Sequence, residues 1–169
     1  SDPSKPGKQS LEEVFGTDGA LADIFSDYEF RNGQLEMAEC IASAFKDDVH
    51  LLVEAGTGVG KSLAYLIPAI VFSNTSEEKV VISTNTKNLQ EQLFTKDLPL
   101  IKKCLNVPFS AVLLKGRGNY ICEKKWQELM RSWERTATAW EISDIMRLVV
   151  WKKFTKTGDI VENTSFKIG

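Results

Sequence analysis

The stretch that decides the fold of this chain is Gly56-Thr57-Gly58-Val59-Gly60-Lys61-Ser62. Its glycines permit the backbone angles and the close approach with which successive N–H groups surround the β- and γ-phosphates of a nucleotide. Lys61 adds a mobile positive charge for the same phosphates, and Ser62 adds a hydroxyl ligand for Mg²⁺. The stretch therefore predicts a site for a nucleoside triphosphate, with Lys61 and Ser62 in catalytic positions.

The residues on either side extend this pattern to a strand, a loop and a helix. An apolar segment, residues 49–54, leads into the loop, and Ala55 stands where the usual pattern has its first glycine. A glycine-rich turn before a helix can be only a turn, but that interpretation leaves both the Lys-Ser pair and the apolar segment unexplained. We therefore expect a continuous set of nucleotide-binding residues, namely Ala55, Gly56, Thr57, Gly58, Val59, Gly60, Lys61 and Ser62.

Further along the chain, short apolar segments alternate with helical patterns. Residues 49–54, 80–83 and 110–114 are nearly all apolar, as are strands that are covered on both faces of a parallel sheet. Residues 61–72 and 87–105 have helical length and can serve as right-handed crossovers. The pattern predicts an α/β fold, a doubly wound parallel sheet flanked by helices.

Two helices of this fold have distinctive sequences. Residues 33–45 carry apolar side chains at helical spacing, with Glu36, Glu39 and Ser43 on the other side, so we expect an amphipathic helix that packs on the sheet. Pro68 lies inside the predicted helix 61–72, where its missing N–H and its ring predict a kink or an end.

Residues 54–69 resemble motif I and the following helix of DinG-like superfamily 2 DNA helicases, relatives of the XPD-type iron–sulfur helicases. Upstream, Phe-Arg-Asn-Gly-Gln-Leu-Glu-Met-Ala at residues 30–38 resembles the Q motif of that family, in which Arg31 and Gln34 lie near the adenine. An amide can accept from the adenine amino group and donate to a ring nitrogen, which suits selection of ATP. The alternative is an ordinary surface glutamine at a helix N-terminus. The resemblance implies a RecA-like P-loop NTPase fold, with residues 11–119 as the N-terminal part of helicase domain 1.

Downstream, residues 80–93 resemble motif Ia of the same family, which lines the path of single-stranded DNA. Short hydroxyl and amide side chains between a strand and a helix can hold a backbone phosphate without reading bases. The resemblance implies DNA contacts from Thr84, Asn85, Thr86 and Gln90. The alternative is that Thr84, Asn85 or Thr86 caps the next helix.

Residues 114–122 resemble the segment in which iron–sulfur helicases place their first cluster cysteine, here Cys122. A cubane cluster needs four thiolates, and the chain has three cysteines, of which Cys40 and Cys104 lie in predicted helices elsewhere. Cys122 is therefore either one ligand of a cluster completed beyond Gly169 or an ordinary thiol. Lys115, Arg117 and Tyr120 are DNA-side candidates through charge or stacking. Residues 120–169 are expected to begin a helical insertion of the iron–sulfur type.

Composition limits the remaining possibilities. Hydrophobic residues make up 43% and charged residues 26%, which excludes a disordered tail or a fibre. Residues 1–114 carry 10 Lys and Arg against 16 Asp and Glu, a net −6, whereas residues 115–169 carry 11 against 7, a net +4. The basic second part could contact an anionic polymer or be an ordinary solvated surface.

The cysteines and the apolar runs predict the cellular compartment of the chain and whether it contacts a membrane. Three scattered cysteines with no secretory segment ahead of them indicate a reducing, cytoplasmic setting. The apolar run at residues 63–72 is half the ~20 residues of a membrane helix, so no membrane contact is expected. Residues 1–10 are polar and rich in Pro and Gly, and are predicted to be a flexible lead-in or a cloning remnant.

ATP hydrolysis needs a second acidic element after a further apolar strand, and no Asp-Glu pair in this sequence has that position. The resemblance implies an Asp-Glu-Ala-His type motif (Walker B) and a second RecA-like lobe elsewhere in the helicase chain. We expect the ATP-binding portion of an ATP-dependent DNA helicase of the repair or replication class, which translocates on single-stranded DNA and whose isolated fragment is inactive. Two alternatives stay open: a P-loop small-molecule kinase, which would lack the segments around Gln34 and Thr84, and a non-hydrolysing nucleotide-dependent interaction module.

Overall fold

The computed structural model describes residues 10–163. The chain divides into two compact units, and the division lies between Leu113 and Leu114. The predicted lead-in, residues 1–10, lies outside this range except for Ser10. That residue caps the first helix through a capping box, because its hydroxyl accepts from the Glu13 N–H while the Glu13 carboxylate accepts from the Ser10 N–H.

The first unit is helical in its described part. Its elements are α1 (Leu11–Phe15), α2 (Asn32–Asp47), α3 (Lys61–Ser76), α4 (Lys87–Gln92), a π-helical turn (Leu93–Asp97) and α5 (Leu98–Cys104). Helices α2 and α3 pack against each other. Their contact contains Leu35 and Ala38 of α2 with Ala64 and Ile67 of α3, all buried. The predicted amphipathic helix is confirmed, since Glu36, Glu39 and Ser43 are exposed on its other face.

The prediction that Pro68 kinks or ends its helix is wrong as to the end, because α3 runs through Pro68 to Ser76. A proline inside a helix costs about 3 kcal/mol. Leu66, Ile67 and Ile70 around it are all buried, and each buried aliphatic side chain contributes about 1.5–3 kcal/mol. Burial on this face therefore outweighs the lost backbone hydrogen bond.

The predicted helix 87–105 is confirmed in outline, but it is not one regular α-helix. At its centre the Leu98 N–H donates to the Leu93 carbonyl, five residues back, in a π-helical turn. Pro99 follows at once, and a proline ring clashes with the carbonyl four residues earlier, that of Thr95. The wider π turn ahead of Pro99 accommodates that carbonyl.

The predicted parallel sheet is not present among residues 10–163. Residues 49–54, 80–83 and 110–114 form no β-ladder with one another, and their apolar side chains are open to solvent. Leu52 is 99% exposed, and Val81 and Val112 are each 89% exposed. A strand needs a neighbour about 4.8 Å away to pair its N–H and C=O groups, and no described segment takes that position.

Between residues 114 and 163, the second unit holds two helices, α6 (Glu123–Thr136) and α7 (Ala139–Phe154), and two 3₁₀ turns, Arg117–Asn119 and Ile160–Glu162. Its start is tied to its end by an isolated antiparallel bridge between Tyr120 and Asp159. Helix α7 begins with a capping box in which the Glu141 carboxylate accepts from the Thr138 N–H, at 2.8 Å. These bonds to Thr138 lower the pKa of the Glu141 carboxyl.

None of the helices between residues 10 and 163 is both long and apolar enough to cross a membrane.

Truncation of a side chain in a buried helix should lower the free energy of unfolding more than truncation of a side chain in an exposed apolar segment. We expect Ile67→Ala to lower the free energy of unfolding by about 2–5 kcal/mol, because it leaves a cavity in the core. Leu52→Ala, a truncation of the same kind on exposed residue Leu52, should change it by less than about 0.5 kcal/mol. Urea unfolding followed by circular dichroism measures both. A large cost for Leu52→Ala would show that residues 49–54 are buried in solution.

Candidate nucleotide-binding site

The loop before α3 has the backbone conformation that its glycines predict. Gly58 and Gly60 have φ angles of 83° and 82°, in the left-handed region that side chains other than glycine disfavour. Gly60 is the N-cap of α3, and within the described part of the chain no side chain caps that helix end. The N–H groups of the first turn are thus directed at whatever lies in the loop.

Lys61 lies across the loop that precedes it. Its ammonium donates to the carbonyl oxygen of Ala55 at 2.8 Å and to that of Gly56 at 2.7 Å. An ammonium has three N–H donors, so these two bonds leave one for a further acceptor. The structure therefore places the Lys61 ammonium over Ala55 and Gly56, two of the residues that the sequence predicts to bind the nucleotide together with Lys61.

Arg31 and Gln34 also reach this loop, through its backbone. The Arg31 guanidinium donates to the Gly58 carbonyl, and the Gln34 amide nitrogen donates to the Gly60 carbonyl at 2.9 Å. Gln34 is only 4% exposed, so it is not the ordinary surface glutamine of the alternative interpretation. Its predicted contact with adenine stays a prediction.

Space as well as conformation favours glycine at position 60. A Cβ there would collide with the Gln34 amide nitrogen, whereas a Cβ at Gly56 or Gly58 would meet nothing within 4 Å. The loop is thus braced on the side of α2 and open at Gly56 and Gly58. An open, glycine-lined loop at an uncapped helix end, with a lysine ammonium over it, fits a triphosphate.

A polar cluster beside Ser62 was not predicted from the sequence. Tyr65 and Asp97 lie near Ser62. Burial raises the pKa of the Tyr65 phenol, against the Ser62 side chain, which lowers it. Burial also raises the pKa of the Asp97 carboxyl, against the side chains of Gln92 and Ser62 and the charge of Lys96, which lower it. The Asp97 Oδ2 atom is buried and has no hydrogen-bond partner among residues 10–163. Tyr65, three residues after Ser62, could have been inferred from helical spacing; Asp97 carried no such signal.

The predicted DNA residues of the first unit lie at the start of α4. Thr86 is the N-cap of this helix, since its hydroxyl accepts from the Leu89 N–H at 3.2 Å, and Thr84 donates to the Thr86 carbonyl at 3.2 Å. The capping interpretation is therefore confirmed for Thr86. Asn85 is exposed and Gln90 is partly exposed. Contact of these residues with DNA stays a prediction.

In the second unit, the candidates differ in their surroundings. The Lys115 ammonium pairs with the Asp159 carboxylate at 2.5 Å, with side chains 10% and 11% exposed, and the Lys115 N–H donates to the Tyr120 hydroxyl at 2.8 Å. Arg117 is exposed in its 3₁₀ turn. The geometry gives Lys115 and Tyr120 structural contacts and leaves Arg117 open to an anion.

The three cysteines differ in their surroundings. Cys122 is exposed at the N-cap of α6, Cys40 is exposed on α2, and Cys104 is buried on α5. Burial raises the pKa of the Cys104 thiol. Among residues 10–163, no three His, Cys, Asp or Glu side chains are grouped so as to hold a metal ion.

This geometry agrees with the comparisons to known proteins. The model of the DEAD/DEAH box helicase family matches residues 31–149, which span the Q-motif-like segment, the loop, the residues after it and most of α7. The chain therefore belongs to the DEAD/DEAH box helicase family.

Its relatives within that family carry DinG and YoaA names. The chain is 39% identical to the ATP-dependent DNA helicase YoaA of Haemophilus influenzae, over 92% of this chain and 23% of that protein. It is 37% identical to the 3′-5′ exonuclease DinG of Bacillus subtilis, over 87% of this chain and 16% of that protein. It is 40% identical to the ATP-dependent helicase DinG of Mycobacterium tuberculosis, over 76% and 22% respectively. The chain thus spans less than a quarter of each.

These findings confirm the resemblance to DinG-like helicases. Membership of the family implies a RecA-like fold. The α/β prediction holds in this coarser form, although the described residues do not contain the sheet.

The geometry of the loop predicts that alanine substitutions at Gly56, Gly58 and Gly60 lower the free energy of unfolding by increasing amounts. Gly56→Ala should change the free energy of unfolding by less than about 0.5 kcal/mol, because the space is open and the φ angle is ordinary. Gly58→Ala should cost about 1–2 kcal/mol for its left-handed conformation. Gly60→Ala should cost about 2–4 kcal/mol, since it also displaces the buried amide of Gln34. Urea unfolding of the three variants measures the order; equal costs at Gly56 and Gly60 would contradict the bracing by Gln34.

Proposed function

We propose that this chain is the ATP-binding portion of an ATP-dependent DNA helicase that translocates on single-stranded DNA. The observation that carries the proposal is the braced loop at residues 55–62, with the Lys61 ammonium over it and with Arg31 and Gln34 bound to its backbone. Family membership and the helicase names of relatives support it.

In this proposal, the loop binds the triphosphate through its backbone N–H groups and Lys61, which exchanges its two carbonyl acceptors for phosphate oxygens. Ser62 supplies a hydroxyl ligand for Mg²⁺, which neutralises charge on the β- and γ-phosphates when bound. Arg31 lies on the α2 side of the loop with an exposed side chain, so it is available to the adenine. Gln34 is buried on the same side and would reach the base by giving up its bond to the Gly60 carbonyl. The nucleotide thereby bridges α2 and α3.

Nucleic acid is proposed to contact the start of α4. Asn85 is exposed between Thr84 and the cap residue Thr86, so its amide is accessible to a phosphate. Arg117 is the candidate from the second unit, by charge and exposure. Contacts of this kind go to the backbone and carry no sequence information, as translocation along a strand requires.

Hydrolysis is proposed to need the remainder of the helicase chain. Residues 49–54, 80–83 and 110–114 are proposed to become strands of a parallel sheet by pairing with strands from outside this sequence, which would cover Leu52, Val81 and Val112. A Walker B motif and a second RecA-like lobe would come from the same source. The isolated chain should then bind ATP but not turn it over, and the setting of the whole protein is proposed to be the cytoplasm.

An iron–sulfur cluster at Cys122 requires cysteines from outside this sequence. Four thiolates are needed, and Cys104 is buried in the core of the first unit. Cys122 is exposed and therefore accessible to such partners. Its role as a ligand remains a proposal that anaerobic purification and absorption spectroscopy of the full-length protein would test.

The proposal is tested by removing the ammonium of Lys61. Lys61→Ala should weaken binding of a fluorescent ATP analogue to this chain by about 10–100-fold, because a charged hydrogen-bond donor is lost. In the full-length protein it should abolish DNA-stimulated ATPase and unwinding, with the circular dichroism spectrum unchanged. Lys79→Ala, which removes an exposed lysine of the same unit, is the matched control and should change neither.

The same assays separate the alternatives. Turnover that responds to a small metabolite and not to single-stranded DNA would favour a P-loop kinase. Nucleotide binding without any turnover in the full-length protein would favour an interaction module. DNA-stimulated ATPase retained in Lys61→Ala would refute the role of Lys61.

A further inference from the structure

The turn that carries Arg117 in the second unit is held at both of its ends. Arg117 is exposed at the start of the 3₁₀ turn Arg117–Asn119, and the Tyr120 N–H donates to its carbonyl at 3.2 Å. The Lys115 N–H donates to the Tyr120 hydroxyl at 2.8 Å, so the residues before and after the turn are bonded to each other. Arg117 therefore projects from a short loop whose two sides are joined.

Asp159 connects this loop to the residues that follow α7. Its Oδ2 atom accepts from the Lys115 ammonium at 2.5 Å, and its Oδ1 atom accepts from the Val161 N–H at 3.1 Å. An antiparallel bridge also joins the backbone of Asp159 to that of Tyr120. One carboxylate thus holds both the loop that carries Arg117 and the 3₁₀ turn that begins after Asp159.

Gly158 lets the two segments approach each other. The Ile121 N–H donates to the Gly158 carbonyl at 2.9 Å, beside the bridge. Gly158 has a φ angle of 74°, in the left-handed region, and a Cβ there would lie 3.2 Å from the Ile121 Cγ2 atom. The sequence is therefore suited to hold residues 120–121 against residues 158–159.

The ion pair between Lys115 and Asp159 is nearly removed from water, with side chains 10% and 11% exposed. Desolvation of two charges offsets much of the attraction between them, so a buried pair is weak evidence for stability. Loss of one partner alone is costly, however, because it leaves the other charge buried and unbalanced. Such a pair restricts which atoms face each other more than it adds to the free energy of unfolding.

We propose that Lys115 and Asp159 are positioning residues for Arg117: their ion pair fixes the loop from which the guanidinium meets a phosphate of single-stranded DNA. The charge of Lys115 is balanced by Asp159 inside the unit, whereas the Arg117 side chain is exposed. Lys115 thus acts through Arg117 and does not itself contact the strand. This inference rests on the proposed function, in which Arg117 is the nucleic-acid contact of the second unit.

The role of Asp159 gives one effect a sign opposite to that of simple electrostatics. An acidic side chain near a nucleic-acid site repels phosphate, so its removal should strengthen binding. If Asp159 holds the Arg117 loop, its removal should weaken binding instead. Asp159→Asn isolates this effect, because the asparagine oxygen can still accept from the Val161 N–H while the charge that pairs with Lys115 is lost.

The test uses the full-length protein and a fluorescently labelled oligothymidylate, whose binding is followed by anisotropy over a range of salt concentrations. Asp159→Asn and Arg117→Ala should each weaken binding by about tenfold, because both remove the same charged hydrogen bond to phosphate. Each should also reduce the slope of log affinity against log salt concentration by about 0.7, the contribution of one phosphate contact on a single strand. The two substitutions combined should bind no more weakly than Arg117→Ala alone.

Glu134→Gln is the matched control, because Glu134 is an exposed acid of α6 in the same unit and removes the same charge away from the loop. It should leave the affinity unchanged or raise it slightly. Circular dichroism checks the fold of every variant. If Asp159→Asn does not fold, Lys115→Met is compared with the apolar pair Lys115→Met/Asp159→Leu, which should recover affinity relative to Lys115→Met because neither charge is left alone.

Wild-type or tighter binding by Asp159→Asn would overturn the inference. Losses from Asp159→Asn and Arg117→Ala that add in the combined variant would also overturn it, since Asp159 would then act independently of Arg117. In the apolar comparison, affinity no better than that of Lys115→Met would indicate a direct contact by Lys115 and would count against the inference. Failure of the proposed function is recognised separately: the wild-type protein would not bind the oligothymidylate, or Arg117→Ala would bind it as the wild type does.

Discussion

The contact between the Gln34 amide and the Gly60 backbone is the constraint on which the rest of the site depends. A buried donor needs an acceptor, and Gln34 finds it in the carbonyl of the residue that ends the loop and begins α3. Because Gly60 has no Cβ, α2 can come close enough for this bond. The bond fixes the loop against α2, and through the N-terminus of α3 it fixes Lys61 and Ser62. Core packing between α2 and α3 stabilises the same arrangement.

The sequence predicted the helices of the first unit better than it predicted the strands. Periodicity and glycine chemistry are local signals, and they located α2, α3 and the loop, with the Arg31 and Gln34 segment added by family resemblance. The prediction for Pro68 was wrong as to the helix end because it considered only the local cost of a proline in a helix. The burial of Ile67, which helps to offset that cost, is not visible in the sequence. The apolar segments were assigned as strands by composition, but a strand is defined by its neighbour, which the described residues do not supply. Asp97 could not be found from sequence, because Ser62 and Asp97 belong to different helical segments that only the folded chain brings together.

Polar contacts of two kinds surround the candidate site, and they have different consequences. Arg31, Gln34 and Lys61 bind backbone carbonyls of the loop, so they shape it whatever the neighbouring side chains are. Ser62 instead lies near the side chains of Tyr65 and Asp97, so its surroundings depend on residue identity. The first kind shapes the loop that is proposed to bind the triphosphate.

The exposed segments around Leu52, Val81 and Val112 also govern how the chain behaves at high concentration. Each is short, apolar and free of proline, and each leaves backbone N–H and C=O groups without a neighbouring strand. Segments of this composition form cross-β stacks between identical molecules. We expect the isolated chain to self-associate through these edges at high concentration. Charged residues at the ends of these segments, such as Glu54 and Lys79, oppose self-association.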